Sequence, residues 1–140
     1  MRRLPVNRYF MPLALLLAAA LLSACAATGK RAETIEERVN ARWAALLAND
    51  YETAYKYLTP GYRSSVTQLQ YQRSIERRKV KWTSAEYVKS ECDESTCAVQ
   101  VKIGFTVYSA LPGVNAMSSS QYAEETWILV NGKWYMVPPQ

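Results

Sequence analysis

The chain carries three cysteines, Cys25, Cys92 and Cys97, and no histidine. Without imidazole there is no Ser-His or Cys-His nucleophile pair, no histidine zinc ligand and no imidazole pH switch. Any acid–base chemistry therefore falls to carboxylates and phenols. Asp50 is expected at a helix start and Asp93 at a hairpin tip, positions that do not suit a pocket base. Glu86 and Glu124 fall in strand-like segments and could point inward, where Tyr55, Tyr87 and Tyr108 could hydrogen-bond a ligand. The plainer reading is an exposed strand carboxylate in each case, and tyrosines that are core residues with satisfied hydroxyls. No cofactor and no metal site is expected from this set.

Cys25 belongs to a different kind of segment from the other two. Residues 1–10 hold Arg2, Arg3 and Arg8 with no acid, residues 11–22 are almost unbroken apolar, and Ser23-Ala24-Cys25 follows. This order of positive, apolar and small residues is that of a secretory signal. The apolar stretch ending at Ala24 is 14 residues, short of the ~20 that a membrane-crossing helix needs. Leu22-Ser23-Ala24-Cys25 resembles the lipobox of bacterial lipoproteins. That resemblance implies a lipid on the Cys25 thiol, cleavage that leaves Cys25 as the acylated N-terminus, and stable anchoring by two or more chains. The alternative is ordinary signal cleavage with Cys25 incidental. Ala26, where inner-membrane lipoproteins often carry Asp, implies the periplasmic face of the outer membrane if the source has two membranes.

With Cys25 lipidated, Cys92 and Cys97 remain as an even pair flanking a four-residue loop in an exported chain, where disulfides persist. A hairpin-tip disulfide is the expected state; a free thiol pair and a metal site lacking two ligands are the alternatives.

The 140 residues are 49% hydrophobic and 21% charged, too apolar for a disordered chain and too short for two cores. Formal charge is +5, but cleavage after Ala24 removes three of 17 basic residues and leaves 14 against 12 acidic ones. The remaining +2 gives little support to nucleic-acid binding. The expected organisation is a signal peptide over 1–24, the lipidated cysteine and a short tether over 25–33, and one domain over 34–140.

From Thr34 the apolar residues Ile35, Val39, Trp43, Leu46 and Leu47 form one helical stripe, opposite a polar face of Glu36, Glu37, Arg38, Asn40 and Arg42. Asn49 with Glu52 reads as a capping box for a second helix bearing Tyr51, Ala54, Tyr55 and Leu58, stopped by Pro60-Gly61. A third helix is expected from Thr67 through Tyr71 and Ile75 to about Arg78. Arg73, Arg77, Arg78, Lys79 and Lys81 cluster at its end. They read as C-terminal capping and a solvated face, or as contacts to an anionic membrane or wall surface.

The period then changes to two. Cys97, Val99, Val101, Ile103, Phe105 and Val107 give one wholly apolar strand face. Val80 to Cys92 is a second strand in which Trp82 and Tyr87 have opposite parity, which calls for a bulge near Ser84-Ala85. Tyr122 to Val130 and Lys133 to Val137 flank Asn131-Gly132, a strong two-residue hairpin signal. One hairpin face gathers Trp127, Leu129, Trp134 and Met136, the other Ile128, Val130, Tyr135 and Val137, so a cover is expected on both. Ser109 to Gln121 reads as a 13-residue loop, functional or mobile by its length.

The order of elements, with Trp43-Ala44-Ala45-Leu46, Asp50-Tyr51, Ala54-Tyr55, Leu58-Thr59-Pro60-Gly61-Tyr62-Arg63, Glu125-Thr126-Trp127 and Gly132-Lys133-Trp134-Tyr135, resembles the nuclear-transport-factor-two-like, cystatin-like superfamily. The resemblance implies an α+β fold with N-terminal helices packed in a curved antiparallel sheet that encloses a conical pocket. Some members are isomerases, dehydratases or hydrolases and many are binding or dimerisation modules. The expected function is a membrane-anchored, non-enzymatic binding or envelope-assembly module, since any catalysis would have to rest on Glu and Tyr alone. A small isomerase or hydrolase using Glu and Tyr, and a purely structural envelope lipoprotein, are the alternatives. Expected partners are the membrane through the lipid, and a second copy or an envelope protein; no nucleic acid is expected.

Overall fold

The computed structural model describes residues 31–108, 113 and 115–139. Four helices precede a four-stranded antiparallel meander: α1 Ile35–Leu47, α2 Tyr51–Lys56, α3 Pro60–Ser65, α4 Gln68–Glu76, β1 Val80–Cys92, β2 Thr96–Tyr108, β3 Ala116–Val130 and β4 Lys133–Val137. The sheet order is β1-β2-β3-β4. The fold class is α+β, with the helices packed against the sheet. Cys25 and the signal and tether residues before Arg31 lie outside the described residues.

Local chemistry sets the helix ends. The Thr34 hydroxyl accepts from the Glu37 amide at 3.2 Å, and the Glu37 carboxylate accepts from the Thr34 amide at 2.7 Å, so two orphan donors are satisfied reciprocally. Helix α1 ends where Asn49 turns left-handed at φ 58°. The Asn49 and Asp50 amides then donate back to Leu46 and Ala45, a Schellman closure. Asn49 thus closes α1 rather than opening α2; Asp50 caps α2 by accepting from the Thr53 amide at 3.0 Å. Hydrogen bonds from the Thr53 side chain and amide hold the Asp50 carboxyl below its ordinary pKa. Pro60 does not stop the second helix. That helix ends at Lys56, and Pro60 stands at the first turn of α3, where a missing N–H costs nothing.

Between α2 and α3 the chain runs extended along the free edge of β4. The Met136 amide donates to the Tyr57 carbonyl at 2.8 Å, and the Thr59 amide donates to the Met136 carbonyl at 3.1 Å. Leu58, fully buried, sits at this parallel bridge. An edge that would otherwise offer unpaired backbone groups is thereby occupied.

Register shifts between Trp82 and Ser84, and between Tyr87 and Lys89, put two irregularities in β1 where one was expected. They bring Trp82, Ala85 and Tyr87 onto one face despite their parity. On the inner face the register sets Ala85, Ile103 and Gln121 abreast, then Tyr87, Val101 and Ala123, then Ser90, Val99 and Glu125. The outer face of these strands is polar, with Glu86 beside Lys102 and Tyr122, and Lys89 beside Gln100 and Glu124. The expectation of a second apolar sheet face therefore applies only to the hairpin corner. There Ile128, Val130 and Tyr135 are half-buried, and the Arg38 and Arg63 guanidiniums lie over the Tyr135 ring at 5.3 and 5.8 Å from its centroid.

The hairpin closes as the sequence predicts, with Val130 opposite Lys133, Leu129 opposite Trp134 and Trp127 opposite Met136. Asn131 and Gly132 adopt φ 50° and 75°, the positive values of a type I′ turn. The expected 13-residue loop is shorter, because Ala116 to Gln121 extends β3 and pairs with Ile103 to Tyr108. Serines and a lone methionine concealed this strand, which lies mostly exposed and carries no apolar alternation.

The core joins Val39, Trp43 and Leu46 of α1 to Ala54, Leu58 and Ile75, and to Val99, Val101, Ile103, Trp127 and Met136 of the sheet. Arg38 and Arg42, assigned to the polar face of α1 by residue type, are buried.

Candidate functional site

A cavity of about 680 Å³ lies between the helices and the inner sheet face. Its walls include Trp43, Leu58, Ile75, Trp82, Ile103 and Met136, and exposed Arg78, Gln121, Glu124 and Pro139 stand at its rim. This size is within the range of small-molecule sites, and so is the mix of apolar wall and few polar groups. The Trp43 and Trp82 rings meet edge to face, 5.2 Å between centroids, and the Arg78 guanidinium lies 5.3 Å from the Trp82 ring centroid.

A buried charge pair forms the polar part of the lining. Arg42, on α1, donates through Nη1 to Glu125 Oε1 at 2.9 Å, and both side chains are more than nine-tenths buried. Glu125 Oε1 also accepts from Trp43 Nε1 at 3.0 Å, and Oε2 accepts from Trp127 Nε1 at 2.9 Å. Both carboxylate oxygens are therefore engaged, by one guanidinium and two indoles. Such a group orients its neighbours and is not free to take a proton from a substrate. The pair is possible because α1 places Arg42 beside Trp43 while β3 places Glu125 in line with Trp127 on the inner face.

Two buried polar atoms are left over among the described residues. Arg42 Nε and the Tyr71 hydroxyl have no hydrogen-bond partner. Burial pushes the Tyr71 phenol above its usual pKa, and the nearby Arg42 guanidinium pulls the other way. Both residues line the cavity.

The residues expected from the sequence to touch a ligand lie elsewhere. Glu86 is exposed on the outer face, and Glu124 is exposed at the rim, outward in register and opposite Gln100. The Tyr55 hydroxyl is held by the carbonyl oxygens of Val66 at 2.6 Å and Arg63 at 3.1 Å, which fastens α2 to α3. Tyr87 meets Ser90 Oγ at 2.7 Å, and Tyr108 is 60% exposed near the far end of β2. None of the three tyrosines lines the cavity.

Arg73, Arg77, Arg78, Lys79 and Lys81 are all exposed. Arg77 caps α4 and donates through Nε to the Arg73 carbonyl at 3.1 Å, a local role at the negative end of that helix. Arg78 alone of the five reaches the cavity.

Cys92 and Cys97 face each other across the β1–β2 hairpin, joined as a disulfide. The tip is closed a second way. Asp93 Oδ1 accepts from the Ser95 and Thr96 amides at 2.8 and 2.7 Å, which holds its carboxyl below the ordinary aspartate pKa. The Leu129 amide donates to the Ser95 carbonyl at 2.8 Å and ties the tip to β3.

No protein-family model matches the sequence, and no curated protein matches it. Solved structures do match in fold. A SEC-C motif containing protein from Rhodopseudomonas palustris aligns with a TM-score of 0.60 at 16% identity, over 87% of this chain and 86% of its own. A second SEC-C motif containing protein, from Psychrobacter arcticus, aligns with a TM-score of 0.59 at 15% identity, over 100% of this chain and 76% of its own. A Thiobacillus denitrificans chain named for a calcium/calmodulin-dependent protein kinase type II association domain aligns at 0.52 and 11% identity, over 76% and 96%. At these identities the likeness is one of fold alone.

Sequence reasoning missed Arg42, Tyr71 and Glu125. For Glu125 a signal was present: it has the parity of Trp127 and Leu129, the apolar hairpin face, whereas Glu124 has the opposite parity.

Proposed function

We propose that the protein is a lipid-anchored envelope lipoprotein whose folded domain is a non-catalytic binding module, with the cavity as its ligand site. The anchor is Cys25, in Leu22-Ser23-Ala24-Cys25, and the membrane is the outer one of a two-membrane bacterium. The α+β fold, with helices against a four-stranded meander, supports the resemblance to the cystatin-like cone superfamily.

The observation that carries the binding reading is the cavity's polar lining. Its one buried carboxylate, Glu125, is fully engaged by Arg42, Trp43 and Trp127, and the two carboxylates that an enzyme would have needed to point inward, Glu86 and Glu124, are exposed. An open-mouthed cavity of this size, with a largely apolar wall and a locked charge pair, is suited to hold a small molecule. The exposed basic residues Arg77, Lys79 and Lys81 add an attraction toward anionic headgroups.

The test is occupancy of the cavity by a neutral aromatic probe. Indole added to the full chain in lipid nanodiscs is expected to give saturation-transfer NMR signals. Ala123→Phe, which fills the cavity from its sheet wall, is expected to abolish them. Equal signals from both proteins would place binding elsewhere and end this reading.

A further inference from the structure

Two arginines line the cavity, and only one of them has a carboxylate. Arg42 is closed on Glu125, whereas the exposed Arg78 side chain makes no ion pair and no hydrogen bond among the described residues. Its position is nonetheless fixed. The Arg78 amide donates to the Ile75 carbonyl at 3.0 Å, where α4 gives way to β1, and its guanidinium lies over the Trp82 ring, 5.3 Å from the centroid. Ile75 and Trp82 are both wall residues, so the charge stands at the open mouth that they frame. The face of the guanidinium is spent on an indole while its N–H edge is open. That edge is a planar fork matched to two oxygens of one oxyanion. Glu124, also at the rim, is turned by its register toward the outer face, opposite Gln100 and within electrostatic reach of Lys89.

Resting on the binding reading above, we infer that the cavity takes an amphiphile with an apolar body and one anionic head, a carboxylate or a phosphate ester, whose oxygens accept from the Arg78 guanidinium at the mouth. The body lies inward, against Trp43, Ile75, Trp82, Ile103 and Met136. The head stays outward, because the interior ion pair is closed on itself: both Glu125 oxygens already accept. A charge carried deep would lose its water with nothing in exchange, whereas at the mouth it keeps part of its hydration and gains the fork. No wall has to move for this contact, since Arg78 is exposed in the free chain. The surrounding charge has the matching sign. Between residues 73 and 81 the exposed cations Arg73, Arg77, Arg78, Lys79 and Lys81 stand against Glu76 alone, a field that draws an anion in and turns a cation away.

The experiment compares four water-soluble probes that share one aromatic body: naphthylacetate, naphthyl phosphate, naphthylacetamide and naphthylethylammonium. Each is titrated into the full chain in neutral phosphatidylcholine nanodiscs and followed by saturation-transfer NMR. The variants are Arg78→Gln and Lys81→Gln, the second in the same basic cluster but outside the cavity lining. Both anions are expected to bind more tightly than the amide, and the ammonium least of all. Arg78→Gln is expected to weaken the anions about five- to tenfold, the size of one charge-assisted hydrogen bond at a partly wet site, and to leave the amide unchanged. Lys81→Gln is expected to leave the order and the affinities as they are. The tighter of the two anions names the head group. Equal binding of anions and amide, indifferent to Arg78→Gln, overturns the inference and leaves the cavity as a site. Equal losses of anion binding in both variants overturn it too, by assigning the preference to the field of the cluster rather than to Arg78. Loss of the amide along with the anions in Arg78→Gln also overturns it, by showing that Arg78 only shapes the Trp82 wall. Binding of no probe removes the cavity reading itself.

Discussion

At the scale of residues, Glu125 is the group on which most others depend. Three donors converge on it, and two of them are indoles. Glu125→Ala is expected to cost about 3–5 kcal/mol in urea unfolding, because it leaves a buried guanidinium unpaired. The paired replacement Arg42→Met with Glu125→Leu is expected to lose much less than either single change, since it removes both charges together. A double variant as unstable as Glu125→Ala would show that the indole contacts, not the charges, dominate. Tyr71 gives a second prediction, through pH. Its phenol has a raised pKa in the folded chain, so the unfolded chain ionises first, near pH 10. The stabilisation is complete below that value and is lost as pH rises through the higher folded value. Urea midpoints measured from pH 9 to 11 should fall less steeply for Tyr71→Phe than for the parent.

At the scale of elements, close approach between strands is as constraining as any side-chain contact. A Cβ on Gly104 would stand 2.3 Å from Ser84 Oγ and 3.1 Å from Thr83 Oγ1, at the first irregularity of β1. Gly104→Ala is expected to cost about 1–3 kcal/mol, as overpacking does. Adding Ser84→Ala should recover most of it, because the Ser84 Cβ is at an ordinary 3.5 Å. Chemical denaturation of the two single variants and the double gives the coupling; simple additivity would refute the steric account. The same strands explain what was legible in the sequence. Regular alternation exposed β2 and the β3–β4 hairpin, and the Ile35-Val39-Trp43 stripe exposed α1. What defeated the reading was charge taken as a sign of exposure. Arg38 and Arg42 are buried because Arg38 donates to the Trp134 carbonyl and to Glu33 and lies over Tyr57, while Arg42 meets Glu125. Each satisfying partner except Glu33 is distant in sequence, so no local window contains it. The exposed start of β3 was hidden for the opposite reason, since a strand with no buried face leaves no apolar period to read.

At the scale of the whole molecule, the proposed anchoring and the proposed surface-charge contact can be tested separately. Cys25→Ser is expected to abolish incorporation of labelled palmitate and to move the chain out of the membrane fraction; retention of label on that variant would refute the lipid assignment. Charge removal at Arg77, Lys79 and Lys81 is expected to leave labelling intact. It should weaken co-sedimentation of the chain with anionic phosphatidylglycerol vesicles by several-fold per residue, from about 1 kcal/mol each. Vesicle binding unchanged by the triple replacement would return the cluster to capping and solvation alone.

The bridge between Leu58 and Met136 also governs when the protein can become itself. The wall contributed by β4 comes from residues 133–137 of a 140-residue chain, and its partners Tyr57 to Thr59 are made some 80 residues earlier. Whatever emerges first, from a ribosome or through a membrane pore, must wait with Leu58 uncovered until β4 arrives. A nascent chain that lacks β4 lacks Met136 from the core and Met136 and Val137 from the cavity wall, and is a client for chaperones rather than a smaller version of the protein. Arrival of β4 is thereby a checkpoint for folding.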